Sequence, residues 1–297
     1  MIGPNENSSD QNADKNAGSP HAPVNPSALV NLNQYPIADI LSGSGKRFAD
    51  QCRREYTETG LCMLPDFIKT TSLDTLAQEA NTLQQHAYFC KSSHNAYLSD
   101  ADASVPDDDV RNRQEQTFVG SVPYDHIDEQ CQLKQLYQWD PLKDFIGHVL
   151  DKNEFYRFAD PFGACSINVF IDGGEHGWHF DESEYTVTLM LQKPLQGGAF
   201  EYVPRIRGRE DEKIIVDEVL NGQRDKVVEL PFTAGTLLIF GGRQTLHRVS
   251  RVSGDRARLV PVLCYAESPG VVNSESVRKL FWGRSGPEDV VTASAPL

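Results

Sequence analysis

The sequence predicts an α+β fold: a jelly-roll β core with flanking helices drawn mostly from the N-terminal half. Three observations predict it. Helix-spaced apolar residues dominate up to about residue 150. Beyond that point come several short β-patterned runs separated by Gly, Pro and Asp signals. A single helical stretch interrupts those runs, which argues against a parallel sheet of alternating strands and helices.

Residues 1–32 are rich in Asn, Ser, Asp, Pro and Ala and poor in large apolar groups, so they are expected to form a disordered tail. The rest, 33–297, is expected to be one domain, with helical support over 33–155 and the jelly roll over 156–270. A helical pattern runs from Gly45 to Tyr56 and ends near Gly60. Leu61–Leu64 is a short strand stopped by Pro65. Thr71 and Ser72 are candidate N-caps for a second helix with Leu73, Leu76, Ala77, Ala80 and Leu83 on its apolar face. The acidic stretch 100–109 lacks the Gly and distal Glu of an EF-hand and is expected to be a solvated turn. Asp140 and Pro141 suit an N-cap and first turn, followed by a stripe of Leu142, Phe145, Ile146, Val149 and Leu150. Strands are expected over 164–171, 185–191, 200–203, 236–240 and 258–265, with a helix at 214–220 that ends at Gly222.

Composition narrows the function. The chain has 297 residues, 39% hydrophobic and 24% charged, and a formal net charge of −14. That acidity disfavours nucleic acid and anionic membrane surfaces as partners. Six scattered cysteines without a C-x-x-C pair give no disulfide framework. No apolar run reaches the roughly 20 residues of a membrane span. With no secretory pattern at the N-terminus, a cytoplasmic location is expected.

The chemistry is carried by His179-Phe180-Asp181. With eight His and 42 acidic residues, chance alone supplies about one His-x-acid triplet, and His126-Ile127-Asp128 is such a match, with no strand on either side. The pair at 179 and 181 instead follows a strand and the Gly173-Gly174 turn and precedes another strand. On extended backbone, residues two apart share a face, so the imidazole and the carboxylate converge while Phe180 turns away. His247, after Gly241-Gly242 and the strand 236–240, is the candidate third ligand. Two His and one carboxylate on one face form the facial triad of non-haem Fe(II) oxygenases, which leaves positions open for a cosubstrate and O2.

A keto-acid cosubstrate needs a cation for its far carboxylate, and Arg supplies a planar two-pronged donor. Arg258 lies eleven residues after His247 at the head of the last strand, and Arg256 shares its parity; Arg258 is favoured. Asn168, two residues after Ser166 on an inward-facing parity, is a candidate contact to the keto acid or substrate, or a buried Asn satisfied by backbone. His176 and Glu182 are candidate substrate contacts, against readings as a loop histidine and a solvent-facing acid. Three residues apart on a strand and turn, His176 and His179 are not expected to share a face. Trp282 is a candidate lid over the pocket, or C-terminal packing.

The blocks Gly177–Leu191, Gly197–Pro204, Gly235–Arg243 and Leu246–Val249 together resemble the Fe(II)/2-oxoglutarate dioxygenase superfamily over roughly residues 55–285. Within it, the chain resembles the branch of free-amino-acid radical halogenases and their hydroxylase relatives, and also fungal alkaloid-pathway dioxygenases. The resemblance implies a double-stranded β-helix, Fe(II) on His179, Asp181 and His247, and 2-oxoglutarate and O2 as cosubstrates. It also implies oxidation of a C–H bond in a small amine-bearing molecule such as an amino acid or alkaloid intermediate. The halogenases of that branch carry Gly where this chain has Asp181, which opens a chloride position, so the resemblance implies hydroxylation or a related oxidation here. Residues matching His176 and Trp282 lie near the substrate in that branch. Val262 and Cys264 stand where its enzymes have polar contacts, which tells against lysine-like substrates.

Overall fold

The computed structural model describes residues 25–289. In chain order these form α1 (Gly43–Thr59), β1 (Leu61–Leu64), α2 (Thr70–Leu83), β2 (Tyr88–His94), β3 (Glu115–Val122), α3 (Gln132–Gln138), α4 (Asp140–Val149) and β4 (Tyr156–Arg157). There follow β5 (Cys165–Phe170), β6 (Glu175–His179), β7 (Thr186–Leu189), β8 (Phe200–Val203), α5 (Glu212–Leu220), β9 (Val228–Glu229), β10 (Leu237–Phe240), β11 (Leu246–Val249), β12 (Arg258–Leu263), β13 (Tyr265–Ala266) and α6 (Glu275–Trp282).

Eleven strands make one antiparallel sheet in the order β1-β10-β7-β12-β5-β3-β6-β11-β8-β9, with β2 added on β3. The sheet curls so that its two halves face each other, which is the jelly-roll core expected from sequence. One face of β5, β7, β10 and β12 carries Cys165, Ile167, Val169, Val187, Leu189, Leu237, Ile239, Leu259 and Leu263 into the main apolar core. Helices α1 to α4 cover that face with Ala49, Cys52, Leu76, Ala80, Leu133, Phe145 and Ile146. Pleating alternates side chains between faces, so the opposite face of the same strands lines the space between the two halves.

Several boundaries differ from the sequence reading. α1 is one turn longer than expected and stops at Gly60, whose φ of 79° sits in the left-handed region. α4 is N-capped by Trp139, so Asp140 is its first residue and not the cap. The jelly roll is not confined to 156–270, because β1, β2 and β3 come from the expected helical half. β2 and β3 escaped the sequence reading because their exposed sides carry Lys, Ser and Gln, which blurs the apolar alternation. The tail expected over 1–32 lies outside the described residues up to 24, and 25–32 is folded. There Leu29 and Val30 are buried, Val30 bridges Ile68, and Asn31 N–H donates to Phe67 O. The acidic stretch 100–109 is a loop in which Arg111 pairs with Asp102 and Asp109. The 124–126 segment beside the decoy His-x-Asp is a single 3-10 turn.

Candidate metal centre

His179 ends β6 and His247 sits on the neighbouring β11, and the two are register partners. His179 Nε2 lies 3.3 Å from Asp181 Oδ1, and His247 Nε2 lies 3.5 Å from the same oxygen. One donor atom from each residue falls within 4.8 Å of the others. Both histidines are buried, and Asp181 keeps a partly exposed carboxylate.

Backbone fixes the tautomers. His179 Nδ1 donates to Gly177 O at 2.7 Å and His247 Nδ1 donates to Thr245 O at 2.9 Å. A carbonyl can only accept, so each Nδ1 carries the hydrogen and each Nε2 turns a lone pair toward Asp181. Burial, reinforced by His247, holds the His179 imidazole below its ordinary value, hence neutral. Three lone-pair donors at this spacing repel one another unless a cation lies between them. The donor set, two imidazoles and one carboxylate, fits Fe(II).

Asp181 is held on two further sides. Thr186 Oγ1 donates to its Oδ2 at 2.6 Å, and its own N–H donates to Gly242 O at 3.1 Å. A Cβ at Gly242 would lie 2.0 Å from Asp181 Oδ2, so only glycine fits there.

Arg258 is 2% exposed and faces inward opposite Phe170 on β5. Phe170 and Phe232 flank its guanidinium at 5.2 and 5.9 Å, and its Nε has no hydrogen-bond partner. Among the described residues no carboxylate pairs with it, and burial pushes its pKa down to about 9. A buried cation without a counter-charge is costly, so the pocket is built for an anion from outside. Apolar side chains line the way from it to the metal site: Phe232 contacts Phe200, and Phe200 lies 5.6 Å from the His247 ring. Arg256, its rival by parity, is exposed and donates to the carbonyl of Pro194 at 3.4 Å.

Other expected site residues are divided. Asn168 faces inward between Ser121 and Val260 and is partly exposed to the interior. Val262 faces inward beside Thr188. His176 does share a face with His179, contrary to the parity argument. The register shifts between His247/His179 and Val249/His176, so a bulge in β6 returns His176 to the inner side, and the two rings stack at 3.8 Å. Glu182 is exposed, with its carbonyl held by Arg243. Trp282 is buried on Phe162 beside Gly163, near the start of β5, and its indole N–H is unpartnered. The sequence reading missed His94, whose ring stands edge-on to both His176 and His179 and is fixed by Thr117 and Asn95. It also missed Thr186, whose hydroxyl lies on the expected strand five residues after Asp181.

Residues 45–279 match the model of the halogenase D family. No curated protein matches the chain in sequence. Among solved structures, the chain is similar to the non-heme alpha ketoglutarate dependent epimerase SnoN from nogalamycin biosynthesis. The TM-score is 0.53 at 14% identity, over 75% of this chain and 84% of that one. It is similar to the carbocyclase SnoK of the same biosynthesis, with a TM-score of 0.50 and 15% identity over 84% and 90% of the two chains. AviO1 from Streptomyces viridochromogenes Tue57 gives a TM-score of 0.50 at 13% identity, over 75% and 96%. These likenesses are of fold.

Proposed function

Because this chain belongs to the halogenase D family and has the fold of the Fe(II)/2-oxoglutarate oxygenases, we propose that it is an Fe(II)/2-oxoglutarate-dependent dioxygenase acting on a small molecule. The reaction read here is hydroxylation, or a related oxidation, of an unactivated C–H bond. An amine-bearing substrate such as an amino acid or alkaloid intermediate is the preferred class. The observation that carries this reading is the convergence of His179, Asp181 and His247 on the same inner face as buried Arg258, with which no carboxylate pairs among the described residues.

When bound, iron and 2-oxoglutarate supply the oxidising chemistry, with O2 consumed and succinate and CO2 released. The chain's part is placement. His179, Asp181 and His247 hold the metal on one face, and Thr186 and Gly242 keep the Asp181 carboxylate aimed. Arg258 receives the distal carboxylate in a dry aromatic slot, where a charge-assisted pair is strong. Asn168, Thr188 and His176 face the interior and are the substrate-side contacts; exposed Glu182 is not. The family's name raises halogenation as a second reading. The halogenases this chain resembles carry Gly where it has Asp181, so hydroxylation is preferred and chloride incorporation is its direct counter-test.

The test is a succinate-release screen of amino acids and cyclic amines with Fe(II) and 2-oxoglutarate. Substrate-dependent succinate is expected from the native chain and none from Asp181→Ala. Equal release from both would remove Asp181 from the metal site and overturn the reading.

A further inference from the structure

The strand that bears His179 and leads to Asp181 has a second face. Trp178 and Phe180 alternate with the two ligands and point away from them, 2% and 1% exposed. They belong to an apolar cluster separate from the main core, with Ala96, Val110, Ile206 and the α5 residues Ile215, Val216 and Val219. A guanidinium covers each ring. Arg248 Cζ lies 4.9 Å from the Trp178 ring; Arg207 Cζ lies 4.7 Å from the Phe180 ring and 4.9 Å from Tyr97, which itself stacks on Phe180.

These contacts cross between ligand-bearing segments. Arg248 follows His247 on β11, reaches over Trp178 on β6, and donates from Nε to Glu201 Oε2 on β8 at 2.6 Å. Glu201 is buried and takes Arg224 as well. Arg207 donates its backbone N–H to Gln244 O, in the turn before β11, while its side chain lies on Phe180. The backbone ladder between β6 and β11 is broken by the register shift beside the ligands. A bulge leaves one residue unpaired and disrupts the ladder locally, so side-chain lacing adds to what holds the two strands together there.

We propose that Arg248 and Arg207 are positioning residues that set the angle between His179, Asp181 and His247 from the far side of the sheet, without touching the metal. This rests on the reading of the triad as a metal centre.

The experiment titrates the full-length chain with Co(II), reading affinity and visible ligand-field bands, beside the Tm of the metal-free protein. Arg248→Met and Arg207→Met are expected to weaken Co(II) binding about 10-fold each and to shift the bands. Arg248→Lys, which keeps a cation over the indole but loses the planar fork to Glu201, is expected to give a smaller shift, and it carries the test if a methionine variant does not fold. Arg157→Met is the control. Arg157 also faces a ring, Tyr137, and an acid, Asp140, but on the small β4–β13 sheet, so its loss is expected to lower Tm and leave affinity and bands unchanged. Native affinity and bands in the Arg248 and Arg207 variants, whatever their Tm, would overturn the positioning role alone. A native chain that binds no Co(II), or binds it equally after Asp181→Ala, would overturn the metal-centre reading beneath it.

Discussion

Arg258 shows how much one buried side chain can commit a site to a ligand class. Arg258→Met removes the only described cation in the slot. The KM for 2-oxoglutarate is expected to rise roughly 100-fold, since truncating one partner of a buried charge pair costs about 3 kcal/mol. A KM within twofold of native would move the keto acid elsewhere. The pH dependence follows from the same burial. A base whose pKa is depressed to about 9 keeps its charge below that value and loses it above. Affinity for 2-oxoglutarate is therefore expected to be flat from pH 7 to 8.5 and to fall as pH rises through about 9, measured as KM against pH. At this scale the triad was legible, because strand parity and the Gly-Gly turns mark it. Parity could not separate Arg258 from Arg256, which share it; in the structure Arg258 is buried and Arg256 is exposed. His176 was misplaced because a bulge restores a face that counting residues assigns away.

Elements were legible where the apolar pattern was clean, as in α2, α4, β5, β10 and β12. β2, β6 and β11 were not: β6 and β11 contribute their inner side chains to a polar site, so their pattern carries function more than burial. α6 was missed as well, since its half-buried face is short and its anchor is distant in sequence. That anchor is Asp160, whose side chain is fully buried. Its Oδ1 accepts from Phe162 and Gly163 N–H, and its Oδ2 accepts from Asn273 N–H and Arg278 Nε. Burial raises its carboxyl, but these donors outweigh burial and leave the pKa lowered. A depressed carboxyl contributes stability above its unfolded pKa, near 4, and loses it as pH falls through the folded value. Asp160→Asn is expected to cost about 3 kcal/mol at neutral pH and to narrow the gap to native as the pH of the melt drops below about 4. An unchanged Tm at pH 7 would show α6 to be held by packing alone.

For the whole molecule, the sheet and the helices divide the work: one face of the strands supplies the core, the other the chemistry. A metal that binds only the folded chain must stabilise it by mass action. Adding Fe(II) or Co(II) under anaerobic conditions is expected to raise Tm by several degrees, and a chelator to reverse it; a Tm indifferent to both would leave the triad without its ion. The sequence reading placed the sheet too late in the chain, because long-range pairing of β1 with β10 and of β3 with β5 and β6 is set by tertiary packing and not by any local signal.

The small segment around Leu29 and Val30 has a consequence for anyone who shortens this protein. It is wedged against Phe67 and Ile68 by two backbone hydrogen bonds, Asn31 N–H to Phe67 O and Lys69 N–H to Leu29 O. A version starting at Asn25 keeps this wedge. One starting at Asn33 would strip two core residues, cost about 3 kcal/mol, and unplug the end of the sheet where β1 ends. Identical melting curves for the two cuts would show the wedge to be ornamental.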